Sequence, residues 1–173
     1  MLFRSVVLHS HVACVRPGLE GRGIGAALKF AQRDFVLAAG VHHITWTFDP
    51  LVRRNAYFNL MVLGAQAVEY HESFYGPMFD GLNRGDESDR LLVSWSLDAP
   101  SAPDPRPAHG DDGFEGIVFD VPDDIVALRR SDPERALALR FALRDCFVSA
   151  YAAGLQATSI TRDGRYSLTR VGP

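Results

Sequence analysis

The eleven residues Arg16-Pro-Gly-Leu-Glu-Gly-Arg-Gly-Ile-Gly-Ala26 constrain this chain more than any others. An apolar run, Val12 to Val15, leads into them, and a helical pattern leads out. Glycines at alternate positions, Gly21, Gly23 and Gly25, remove side chains where a backbone could approach a ligand, and allow angles that other residues resist. A helix starting near Gly23 aims its unpaired N–H groups back at that loop. Such an end favours anions through those donors and through the helix dipole. The local chemistry points to phosphate or diphosphate. The same residues also suit a tight strand-to-helix turn with no ligand.

The 173 residues suit one domain, or one domain with an appendage. A hydrophobic share of 47% and a charged share of 23% describe an ordinary soluble composition able to bury a core. The net charge of −3 argues against a general nucleic-acid binder, which needs a basic face. Of the 18 basic residues, 17 are arginine and Lys29 is the exception, a bias that reads as genome composition. Cys14 and Cys146 match no metal spacing and do not make a disulfide framework, so no metal is expected. No apolar run approaches membrane-spanning length, and the N-terminal residues are too short an apolar stretch for a signal peptide. No membrane association is expected, and a cytoplasmic location is.

Taken in order, Phe3 to Leu8 and Val12 to Val15 read as one or two strands. A helix follows from about Ile24, its apolar stripe Ile24, Ala27, Leu28, Ala31, Phe35 and Ala38, closing at Gly40. His43 to Phe48 alternates as a half-buried strand and stops at Asp49-Pro50. A second helix runs from about Arg54 to Leu63, then a short strand Ala67 to Tyr70. A long loop, His71 to Asp89, precedes a strand from Leu91 to Leu97. Four of the ten prolines and a run of acidic residues mark 98–113 as a linker. In the remainder, 114–173, Gly116 to Val121 reads as a strand. Asp132 and Pro133 open a helix to about Ala153. A hairpin over Asp163-Gly164 closes the chain.

The order strand, Val15-Arg16-Pro17, glycine loop Gly21-Arg22-Gly23-Ile24-Gly25, helix, strand, helix ending Leu63-Gly64-Ala65, strand, strand resembles the central and C-terminal part of the GNAT acyl-CoA N-acyltransferase superfamily. Thr45-Trp46-Thr47-Phe48-Asp49-Pro50 and Arg54-Asn55-Ala56 are similar to a subgroup with a C-terminal extension. The resemblance implies an α/β (α+β) fold: the latter part of a GNAT domain over residues 1–97, with a mixed sheet and flanking helices. A small α+β extension over 114–173 follows. It also implies acetyl-CoA or another acyl-CoA, such as succinyl-CoA, as co-substrate and a small-molecule amine as acceptor. The coenzyme would be held by Cys14 and Val15 on the strand, by Gly21, Arg22, Gly23, Ile24, Gly25 and Ala26 in the loop, and by Asn55 and Asn59 on the next helix. Asn55 serves equally as a helix cap, and Asn59 equally as a solvent-facing polar residue. Two positions depart from the pattern. Glu20 stands where the family has Arg or Gln, and Leu60 where a tyrosine often protonates the leaving thiolate. The elements that precede the central strand in the family have no counterpart here. The domain therefore reads as N-terminally incomplete, with a sheet edge that a homodimer could cover.

Acyl transfer to an amine needs a proton acceptor, donors for the carbonyl oxygen and often an acid for the thiolate. His11 on the central strand and Asp49 at the end of the neighbouring one are the candidate bases, because adjacent parallel strands present their C-terminal ends to one crevice. Tyr75 is the candidate acid. Bland alternatives stand beside each: a hydrogen-bonded core histidine, an Asp-Pro turn and a loop aromatic. Two other functions also fit. Gly21-x-Gly23-x-x-Ala26 followed by Asp49 matches a dinucleotide pattern, although Arg16 to Glu20 separates strand from glycines and only one strand-helix-strand unit is present. Glu20 and Leu60 suit a catalytically impaired acyl-CoA-binding remnant or assembly subunit.

Overall fold

The computed structural model describes residues 6–11, 13–16, 18–19, 21–76, 87–98 and 116–171. Glu20, Pro17, Val12, most of the acidic linker and part of the long loop lie outside them. Among the described residues the fold is mixed α+β, with two sheets and four α-helices.

The first sheet has strand order β1-β2-β4-β3. Edge strand β1, Val7–His9, runs parallel to β2, His43–Phe48. β4, Arg90–Ser96, pairs antiparallel with both β2 and β3, Gln66–His71. The alternation read in the sequence sets the faces. Ile44, Trp46 and Phe48 pair across from Trp95, Val93 and Leu91, so these six share the buried face. Thr45, Thr47, Ser94 and Leu92 stand half-buried on the other.

Helix α1, Ile24–Ala38, covers part of the buried face. Its Phe30 meets Trp95 edge-on at 5.9 Å, and Trp95 meets Trp46 at 6.2 Å. The expected stripe is wrong in phase. Leu28 and Phe35 are exposed, Phe35 by 78%, while Lys29 and Val36 point inward with Phe30 and Leu37 beside them. The helix carries two apolar arcs, and spacing alone cannot say which meets the sheet. The expected second helix divides. Residues Arg53–Tyr57 form α2, and Phe58–Val62 widen into a π-helical turn in which the Leu63 N–H reaches the Phe58 carbonyl at 2.9 Å.

The second sheet, order β5-β7-β6, is antiparallel: β5 Gly116–Asp120, β6 Leu155–Ile160, β7 Arg165–Arg170. Between β5 and β6 lie α3, Ile125–Ser131, and α4, Pro133–Ala152. The sequence reading lacked α3. Its cap is Asp124, whose carboxylate accepts from the Ala127 N–H at 2.9 Å. Asp132 caps α4 in the same way, through the Arg135 N–H at 3.0 Å, as its Asp-Pro start implies. α4 turns Ala136, Arg140, Leu143, Phe147 and Ala150 inward. Phe147 packs against Tyr70 of the first sheet and Tyr166 of the second, at 5.5 and 5.2 Å. One hydrophobic cluster therefore runs from Val36 to Leu168, and the C-terminal part shares it with the first sheet.

Candidate functional site

The last main-chain bond between the parallel strands runs from the Ser10 N–H to the Thr45 carbonyl at 2.8 Å. Beyond it Ala13–Arg16 have no strand pairing, which corrects the expected strand at residues 13–15, Val12 lying outside the described residues. β2 meanwhile runs on, paired with β4 as far as Phe48. Where the two chains part, a cavity of about 710 Å³ opens. That is the size of an ordinary ligand site.

One wall is Ser10, His11, Ala13, Cys14 and Val15. The opposite wall is Trp46 to Phe48, with Arg54, Asn55, Phe58, Asn59 and Val62 from α2 and its π turn. The start of α1 closes one end with Gly21, Gly23, Gly25 and Ala26. Gly23 is the N-cap residue at φ +76°, a left-handed conformation for which glycine is suited. Among the described residues no side chain caps this end. The first helical bond is the Ala27 N–H to the Gly23 carbonyl at 3.0 Å. The N–H groups of Ile24, Gly25 and Ala26 precede it, as the unpaired first-turn donors of any helix do. No acidic residue occupies the first turn.

Thus the sequence-predicted residues His11, Cys14, Val15, Gly21, Gly23, Gly25, Ala26, Asn55 and Asn59 line one cavity. Arg22 and Ile24 belong to the same loop but are not on its wall. Neither alternative role for the asparagines applies. Val52, not Asn55, sits at the N-cap of α2. Asn59 is 4% exposed and its side-chain oxygen accepts from the Trp46 indole N–H at 3.2 Å.

Two expected catalytic residues lie elsewhere. Asp49 follows Phe48 but turns away, into a buried ion pair with the C-terminal helices. Arg140 grips it with two bonds of 2.9 and 2.8 Å, and Arg129 adds a third of 2.6 Å. Burial alone would raise its pKa, but the two guanidiniums outweigh burial and hold the carboxylate down at about 2. A base so held has no affinity for a proton near neutrality, so Asp49 is withdrawn from the catalytic set. Tyr75 lies off the cavity wall, with its ring against Phe74 at 4.8 Å and under the Arg90 guanidinium at 5.1 Å.

The sequence reading left two cations of the cavity wall, Arg54 and Lys29, out of the site. Lys29 lies on the wall, 6% exposed, with its amine 3.8 Å from the centre of the Trp46 ring. Burial lowers its pKa to about 8.

No helix among the described residues is long and apolar enough to cross a membrane, and none of their His, Cys, Asp and Glu side chains group in threes suited to a metal ion. No protein-family model, curated protein or solved structure matches the chain.

Proposed function

We propose that the cavity binds an acyl-CoA and that the protein transfers its acyl group to the amine of a small molecule. One observation carries the proposal: two parallel strands cease to pair at Ser10, and the cavity that opens between them ends at the uncapped N-terminus of α1. A diphosphate needs several converging N–H donors without obstructing side chains. Gly25 and Ala26 offer donors from the cavity wall with the Ile24 N–H next to them in the chain, and a Cβ built at Gly23 would have nothing within 4 Å. The predominantly apolar wall of Val15, Phe48, Phe58 and Val62 suits the uncharged middle of the ligand. Asn55 is placed to offer it polar contacts from α2.

Acyl-CoA supplies an activated thioester carbonyl. His11, exposed on the wall opposite β2, is the residue placed to accept the proton of the attacking amine. Among the described residues no strand pairs with the outer edge of β1.

The test is calorimetry with acetyl-CoA, succinyl-CoA and NAD. Saturable heat with a CoA ester and none with NAD is expected. Gly25→Glu is the matched variant. Gly25 lies inside the helix, and its added Cβ would meet only Val15 Cγ2, at an ordinary 3.9 Å. A carboxylate in a first helical turn also suits the dipole. The variant should therefore fold as well as the parent and bind at least tenfold more weakly, a loss of about 1.4 kcal/mol. Heat with NAD alone overturns the proposal. CoA binding without turnover of any amine favours a binding protein that has lost catalysis.

A further inference from the structure

Among the described residues Lys29 is a buried charge without a counter-charge. Its amine donates to the Ser10 hydroxyl at 3.2 Å and to the Gln32 side-chain oxygen at 3.3 Å, and its third neighbour is the Trp46 ring. All three are neutral. Among the described residues no carboxylate lies within ion-pair distance of it. The other inward-facing cations are treated differently. Buried Arg140 has Asp49, and half-buried Arg144 has Asp89 at 2.6 Å with Glu87 beside it. Burying an ion without an opposite charge is costly, and folds normally avoid it by pairing. Here the unpaired ion stands on the wall of a cavity.

We infer that Lys29, the buried cation of a cleft that also bears the exposed Arg54, receives a carboxylate of the ligand. This rests on the acyl-CoA reading above and names the class of substrate. The diphosphate donors lie at residues 24–26 of α1, and Lys29 stands about a helical turn beyond them, beside the strand pair at Ser10. The anion at Lys29 is therefore a second one, borne by the reacting end of the ligands. The neighbours suit a carboxylate. Ser10 Oγ accepts from both Lys29 and Gln32, at 3.2 Å each, so its hydroxyl hydrogen is left to donate. That carboxylate belongs either to the acyl chain, as in the thioester of a dicarboxylic acid, or to an amino-acid acceptor.

Lys29 is the chain's single lysine, so the protein labelled with ¹³Cε-lysine gives one side-chain signal whose pH titration reads this amine alone. Saturating succinyl-CoA should move its titration midpoint upward by about one pH unit or more, and acetyl-CoA should not. That result assigns the carboxylate to the acyl chain. If neither ester moves it, but glycine or glutamate does in the presence of acetyl-CoA while their amides do not, the carboxylate is the acceptor's. Lys29→Met should fold, since it removes a buried charge and keeps the volume. It should lose about tenfold in affinity for whichever carboxylate partner the titration identified, and less for acetyl-CoA. Binding of acetyl-CoA with no shift of the Lys29 signal by any of these carboxylates overturns the inference and leaves the acyl-CoA reading standing. Failure of every CoA ester to bind overturns both.

Discussion

Asp49 and Lys29 show how one sheet end treats two buried charges. Asp49 is fully compensated, and its value should appear in stability. Asp49→Asn removes the carboxylate that buried Arg140 and Arg129 share, so urea unfolding at neutral pH should show a loss of about 3–5 kcal/mol. Its carboxyl titrates lower in the fold, at about 2, than in the unfolded chain, near 3.9. The unfolded state thus takes up the proton first. The pair's contribution is complete above about pH 4 and disappears as pH falls through about 2, and Asp49→Asn should remove that part of the acid dependence. Lys29 has the opposite sign. Its folded pKa, about 8, lies below the ordinary 10.5, so the charged amine weakens the fold below pH 8 and the penalty fades as pH rises toward 10.5. Lys29→Met should therefore raise the melting temperature at pH 7. Neither role was legible from the residue type. Asp49 looked like a base because it ends the right strand, but Arg129 and Arg140 lie 80 and 91 positions away. Lys29 did leave a trace. Among 17 arginines it is the one cation that can give up its proton, and Arg140 left another, an ion on the apolar stripe of α4.

Elements with chemical punctuation at both ends were read closely. α1 lies between Gly23 and Gly40, and α4 between Asp132-Pro133 and Gly154, because caps and glycine are local signals. Asp132→Ala should cost about 1 kcal/mol in thermal unfolding through loss of the Arg135 N–H bond. The short α3 was hidden, because its cap, Asp124, stands in an acidic stretch that reads equally as a solvated connector. The division of α2 by a π turn was hidden too. That turn carries Asn59, which accepts from Trp46, a tertiary contact with no sequence period. At the last hairpin, Gly164 has φ +100°, and a Cβ there would come within 2.8 Å of the Val121 carbonyl. Gly164→Ala should cost more than a cap does, about 1–3 kcal/mol, by the same unfolding measurement.

At the scale of the molecule, the sequence divides more sharply than the fold does. Composition separates residues 114–173 from the rest, yet Phe147, Tyr166 and Leu168 belong to the core that Leu91 and Tyr70 also enter. The Tyr166 hydroxyl donates to the Pro50 carbonyl at 2.9 Å, Tyr151 to that of Ala67 at 3.1 Å, and both arginines of the Asp49 cluster come from the C-terminal helices. A fragment ending at Leu97 should therefore lack the near-ultraviolet circular dichroism of a packed tryptophan pair, and the whole chain should unfold in one transition. The C-terminal part fixes the end of β2, and the end of β2 forms one wall of the cleft. Whether the cleft works as proposed is read most directly from the backbone itself. On titration of the ¹⁵N-labelled protein with acetyl-CoA, the amide signals of Ile24, Gly25 and Ala26 should shift most, and Gly25→Glu should abolish the shifts. Acetyl-CoA that leaves these three amides unmoved, or that moves others more, contradicts a diphosphate held at the start of α1.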